Sequence, residues 1–248
     1  MYLGVHIEGT KRPFTLGLLD ESLQIEVVRH AQMEELLSYA AGDDILAIGI
    51  NAPSDVNHGL MKDETVRGHF TPPVPEGRFE NMRIAEYEIA RRGVRIQRTP
   101  DKAGKCPLWM RIGFEVYERI GELSYQAYPA EDAQRHWLEV PADAGFFSLV
   151  GGTLLSGKTL QGRIQRQLIL WAQGVLIPDP METFEEITRH RLLHGNFPFR
   201  SIFPIESLNA LLAALTARLS QQKPEKLISL GDSDEGIIHL PTDSRLNF

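Results

Sequence analysis

Three short runs rich in Val, Ile and Leu, at residues 2–8, 14–20 and 23–30, follow one another with only the pieces GTKRP and ES between them. Runs of this length and composition predict strands, and the turn-forming connectors make them consecutive antiparallel neighbours. Residues 31–41 then carry helical spacing through Met33, Leu36, Leu37 and Ala40, with Gly42 as the stop. Residues 45–50 form a continuous apolar run of the kind found in a buried central strand. A chain that opens in this order is expected to build an α/β fold. Its mixed central sheet would have three antiparallel strands, then parallel strands, flanked by helices.

Farther along, residues 55–79 show little periodicity and hold several prolines, which predicts a long loop. A helix is expected over 81–92, capped by Asn81 and stopped by Gly93, with a strand at 94–98. Another helix is expected at 108–121, a strand carrying Gln126 at 124–128, and helices at 159–173, 181–194 and 205–221. The second half is therefore mostly helical. Residues 231–235 read as a polar turn into a last strand at 237–240. The length of 248 residues suits one elaborated domain over 1–248, and no composition shift divides it.

The hydrophobic fraction of 42% and charged fraction of 24% match ordinary globular chains. Charge at Glu8 and Lys11 interrupts the N-terminal run too early for a signal sequence or membrane span, so a cytoplasmic protein with no membrane association is expected. One cysteine, Cys106, agrees with a reducing compartment and reads as a plain structural or surface cysteine, with no base near it in sequence. A net charge of −7 argues against wrapping nucleic acid over the whole surface. The stretch 89–111 is locally basic, with Arg91, Arg92, Arg95, Arg98, Lys102, Lys105 and Arg111 against Asp101 alone. It is either a solvated surface or a phosphate contact.

Four segments, LGVHIEGT, ILAIGINAPSDV, SYQAYPAED and IESLNALLAALTARL, together resemble the predicted RNase H-like nuclease family of bacteria and archaea. The likeness covers most of the chain, since Arg83, Glu86, Arg92–Gly93, Lys158–Thr159, Gly162, Arg163 and the closing EGIIHLP also fit. The resemblance implies an RNase H-like fold with one site residue on each of four elements. Where the family has carboxylates, this chain has His6, Asn51, Gln126 and Asn209. Two-metal hydrolysis needs clustered acids to hold two cations, and amides bind a hard dication far less well. The resemblance thus implies a degenerate nuclease retaining its cleft as a binding or scaffold protein, with no cofactor. Arg83, Glu86, Lys158, Arg95 and Arg98 would contact nucleic acid or another phosphate-bearing ligand.

Two alternatives stand beside it. One is a metal-dependent nuclease or phosphohydrolase with a rearranged site, in which Glu8, two residues beyond His6, and Glu206, three before Asn209, join His6 and Asp55. Magnesium, manganese or zinc would be bound only in that case. The other, weaker, is a phosphotransferase on the related actin-like fold, which HIEGT faintly echoes. His190 and His194 have the spacing of a metal clamp but lack a zincin glutamate, and read as a solvated helix end.

Overall fold

The computed structural model describes residues 1–9, 13–197 and 199–242, so most of the GTKRP turn, Lys11 included, lies outside the described residues. Three strands open the chain: β1 (Tyr2–Ile7), β2 (Phe14–Leu19) and β3 (Ile25–Ala31). They are followed by helix α1 (Met33–Ala40) and strand β4 (Ala47–Asn51). β1 pairs antiparallel with β2, β2 antiparallel with β3, and β4 returns parallel beside β1. This is the predicted opening.

The chain continues through α2 (Glu64–Gly68), α3 (Ile84–Arg91), α4 (Leu108–Glu122), β5 (Gln126–Ala127), β6 (His136–Glu139), α5 (Ala142–Val150) and α6 (Leu160–Ala172). The last elements are α7 (Glu182–Glu185), α8 (Arg189–Leu193), α9 (Ile205–Gln222), β7 (Leu227–Asp232) and β8 (Gly236–Pro241). The sheet order is β3-β2-β1-β4-β6-β8-β7, with β5 beside the start of β6. The molecule is thus an α/β protein with a mixed sheet flanked by helices.

Alternation along the strands divides the core into two layers. Leu3, Val5, Ile7, Ile48 and Ile50 face one side, where they pack with Leu36, Val116 and Ile120 from α1 and α4. Tyr2, Ala47 and Leu138 face the other, against Ala213 and Ala217 of α9. α9 is buried along nearly its whole length. Its approach is made possible by Gly4, Gly17 and Gly49, which lie side by side across β2, β1 and β4. A Cβ on Gly4 would stand 1.9 Å from the Ala210 carbonyl oxygen, and one on Gly49 would stand 2.2 Å from that of Ala213. A glycine inside a strand commonly marks such close backbone approach.

Several expected elements take another form. The 55–79 stretch includes α2, whose first turn is capped by Asp63 accepting from Thr65 N–H at 2.8 Å. Residues 94–98 pair with no strand, although Val94 is buried against Ala85 and Leu230. The helix expected at 181–194 is two short ones, because Thr188 is extended and caps α8 by accepting from Arg191 N–H. Where one final strand was expected, β7 and β8 form an antiparallel hairpin that extends the sheet. Asn81 does not cap α3; Arg83 holds that position, and Glu86 accepts from its backbone N–H.

Candidate functional site

His6 and Asn51 are paired neighbours at the ends of β1 and β4, so their side chains leave the same face of the sheet. That is the α9 face, and Asn209 precedes the Ala210 whose carbonyl lies over Gly4. All three line one cleft of about 770 Å³, together with Glu8, Arg95, Trp109, Asp143 and Lys158. The glycine stripe and the small residues of α9 are therefore what bring Asn209 to the strand ends.

The hydrogen bonding of Asn51 fixes its chemistry. Its Oδ1 accepts from Ala142 N–H at 3.0 Å, so the amide is oriented with Nδ2 as the remaining donor. Nδ2 lies 2.7 Å from His6 Nδ1, which must then accept, leaving the proton of the neutral imidazole on Nε2. Burial pushes the His6 pKa down to about 4, against the smaller upward pull of Glu206 and Asp143. His6 therefore serves as a neutral N–H donor. Ligating a cation through Nε2 would require the other tautomer, and with it the loss of the Asn51 bond or of the Ala142 bond.

Asn209 differs. It is 8% exposed, and its Oδ1 is buried with no hydrogen-bond partner. Leaving such a group unsatisfied costs roughly 1–3 kcal/mol.

Gln126 does not join the other three. It is exposed on β5 and pairs with His136, which in turn pairs with Ala47 at the start of β4. Asn51 is at the other end of that strand, roughly 13 Å away at about 3.3 Å per residue. The acid at the strand end is Glu139, on β6 opposite Ile50. It was missed because the chain has two similar segments, QAYPA and EVPA, and only the second runs from a core strand directly into a helix.

Glu139 is not a free ligand. By strand alternation it points to the face opposite Asn51, where it is 2% exposed. It accepts from Ser54 N–H and Oγ at 2.8 and 2.9 Å and from Arg83 Nη1 at 3.0 Å, and it pairs with Arg83 Nη2. Arg83 also contacts Glu86 through Nε at 3.1 Å and donates to the Glu235 carbonyl at 2.9 Å. Burial opposes the charge on Arg83, but Glu139 and Glu86 raise its pKa beyond the ordinary arginine value. The Arg83–Glu86 pair is thus part of a buried junction among α3, β6 and the β7–β8 turn, not an isolated surface ion pair. Gly236 is packed so tightly there that a Cβ would meet Ser54 Oγ at 2.4 Å.

The remaining candidates separate. Asp55 is exposed beside His58 at 3.2 Å and does not line the cleft. Glu8 accepts from Thr15 Oγ1 at 3.2 Å and lies 3.9 Å from His30. Glu206 acts on His6 through its charge but is not among the lining residues. Among the described residues no three His, Cys, Asp or Glu side chains are placed to hold a metal ion. His190 and His194 stack with centroids 4.3 Å apart. Arg98 donates to Asn81 at 3.0 Å and lies outside the cleft, whereas Lys158 and Arg95 are exposed on its rim. Cys106 is buried. No described helix is long and apolar enough to cross a membrane.

No protein-family model, curated protein or solved structure matches this chain.

Proposed function

We propose that this chain is an RNase H-like domain in which the hydrolytic centre has been replaced by a cleft whose His6, Asn51 and Asn209 are uncharged and which binds a phosphate-bearing ligand. The RNase H-like part is supported by the resemblance of four segments and by the opening order, three antiparallel strands followed by a helix and a parallel strand beside β1. The observation that carries the loss of metal-dependent hydrolysis is the Ala142–Asn51–His6 chain of hydrogen bonds. It makes the first two positions of the expected acidic cluster an amide and an N–H donor, neither of which neutralises a dication. The nearest strand-end acid, Glu139, lines the same cleft from the other face of the sheet, but it is held by Arg83. Binding is favoured over a purely structural role by the cleft itself, about 770 Å³ in volume and rimmed by the exposed Lys158 and Arg95.

The test is a titration of the isotopically labelled protein, followed by NMR at His6 and the Asn209 amide. Inorganic phosphate should shift the signal of Asn209, which shares a wall with Lys158 and Arg95, while magnesium or manganese should move neither signal and should promote no cleavage of RNA or DNA. Metal-dependent turnover, or a metal-induced shift at His6, would overturn the reading in favour of a rearranged centre.

A further inference from the structure

The cleft does not end at Asn209. It adjoins a second cavity of about 620 Å³ lined by Gly93, Leu154, Gly157 and Ile205, and the two share Arg95, Asp143, Lys158 and Asn209 as their common wall. Of the charged groups on that wall, the Asp143 carboxylate is paired with Arg166 at 2.8 Å. Lys158 and Arg95 have no ion-pair or hydrogen-bond partner among the described residues. Two free cations therefore stand at the junction of two cavities. Beside them the first turn of α5 lines the cleft; Ala142 N–H is taken by Asn51 and Gly145 N–H by Pro141, which leaves the backbone donors of Asp143 and Ala144 for an anion.

The other lining groups are of a different kind. Trp109 is half-buried, packing against the core beneath β1 and β4 while also forming part of the cleft wall. His6 offers Nε2–H, and Asn209 brings an amide that is more than nine-tenths buried and has an unpartnered oxygen. A hydroxyl can accept from His6 Nε2–H and from the Asn209 Nδ2–H, the part of that amide not sealed from the cleft, without bringing charge to this end. The cations, the hydroxyl-reading groups and the aromatic wall thus call for three different parts of one ligand.

We infer that the double cavity takes a nucleotide, with its phosphate between Lys158 and Arg95, its sugar hydroxyls on His6 and Asn209, and its base against Trp109. This rests on the reading of the cleft as a metal-free site for a phosphate-bearing ligand. Aromatic stacking accepts any base, so the assignment is to the class and not to one base. The phosphate is that of a free nucleotide or of one residue in a single strand.

Calorimetric titration with each of the four ribonucleoside 5′-monophosphates decides the matter, with the corresponding nucleosides, inorganic phosphate and single-stranded pentanucleotides as comparisons. At least one monophosphate should bind tenfold or more tightly than both its nucleoside and inorganic phosphate. The double change Arg95→Ala and Lys158→Ala, both at exposed positions, should weaken that binding at least tenfold and leave nucleoside binding unchanged. Trp109→Leu should weaken monophosphate and nucleoside alike, and Trp109→Phe should recover most of the loss. A pentanucleotide that binds more tightly than the monomer identifies a strand as the source, and one that does not identifies the free nucleotide. If inorganic phosphate binds in an Arg95- and Lys158-dependent way but no monophosphate improves on it, the nucleotide assignment fails and the anion site stands. If nothing binds, or binding ignores all these variants, both fail.

Discussion

Asn51 stands between a backbone donor and His6, taking the Ala142 N–H on Oδ1 at 3.0 Å and presenting Nδ2 to His6 Nδ1 at 2.7 Å. The turn from β6 into α5 thereby sets which nitrogen of an imidazole on β1 carries its proton. Sequence places these residues far apart, and the parallel pairing of β1 with β4 puts the two side chains side by side.

Asn51→Asp should reverse the polarity of this chain. A carboxylate can still accept from Ala142 N–H, but it can only accept from His6, so His6 must carry a proton on Nδ1. The negative charge also favours the imidazolium, so the His6 pKa should rise from about 4. Nitrogen-15 shifts of the ring will report both changes. A variant that keeps the wild-type tautomer and pKa would show that the amide does not control His6.

Acid should destabilise the fold through its buried histidines. Burial pushes both His6 and His239 down to about 4 from an ordinary value near 6.5. The unfolded chain therefore takes up protons that the folded one refuses. Their contribution to stability is complete above about pH 6.5, diminishes as pH falls, and is lost by about pH 4, each costing on the order of 3 kcal/mol there. Urea midpoints measured across this interval should fall with pH, and His239→Gln should flatten the dependence. A midpoint that is constant from pH 7 to 4.5 would contradict the assignment.

The opening of the fold is visible in the residues because β1, β2 and β4 are apolar runs and the connections between β1, β2 and β3 are short turns. β6 is not, since only four residues enter the core after the polar stretch 131–135. Gln126 sat in a more strand-like context than Glu139, yet it forms a two-residue exposed pairing at the other end of the sheet. Residues 94–98 alternate like a strand, and packing against α3 and β7, not hydrogen bonding, accounts for that pattern. A further signal lies in the small residues. Gly4, Gly17 and Gly49 interrupt three apolar runs, while Ala210, Ala213, Ala214 and Ala217 recur at helical spacing. Together they mark a helix lying directly on a sheet.

That stripe yields an ordered series. Gly4→Ala and Gly49→Ala would place a methyl within 1.9 and 2.2 Å of backbone oxygens on α9, whereas at Gly17 the nearest contact is 3.1 Å. Overpacking typically costs roughly 1–3 kcal/mol, and backbone cannot yield as a side chain does. The first two changes should therefore reach or exceed that range, with Gly17→Ala milder. They should also weaken any ligand held by Asn209, because α9 must move. Chemical denaturation of the three variants gives the order, and equal losses would argue against this packing.

Removing Arg83 should cost more than an exposed ion pair would suggest. It is 1% exposed and pairs with both Glu86 and Glu139, so Arg83→Met leaves two buried carboxylates without their cation. Breaking a buried pair in this way typically costs about 3–5 kcal/mol. Adding Glu86→Gln and Glu139→Gln should return part of the loss by removing the stranded charges. If Arg83→Met is neutral, the junction does not hold the strand end in place.

The last test restores charge to the cleft. The triple change His6→Asp, Asn51→Asp and Asn209→Asp forces three carboxylates toward one another, so they must repel or stay protonated, and stability in chelator should fall. Manganese or magnesium should recover much of that loss, because a ligand that binds only the folded state stabilises it by mass action. Gln126→Glu serves as the control: it is exposed and far from the cluster, so it should neither destabilise nor respond to metal. Thermal melts with and without metal separate the outcomes. A triple variant that melts like wild type in chelator and gains nothing from metal would mean that these three positions are not the remnant of a metal centre, and the proposal of a replaced hydrolytic centre would fail.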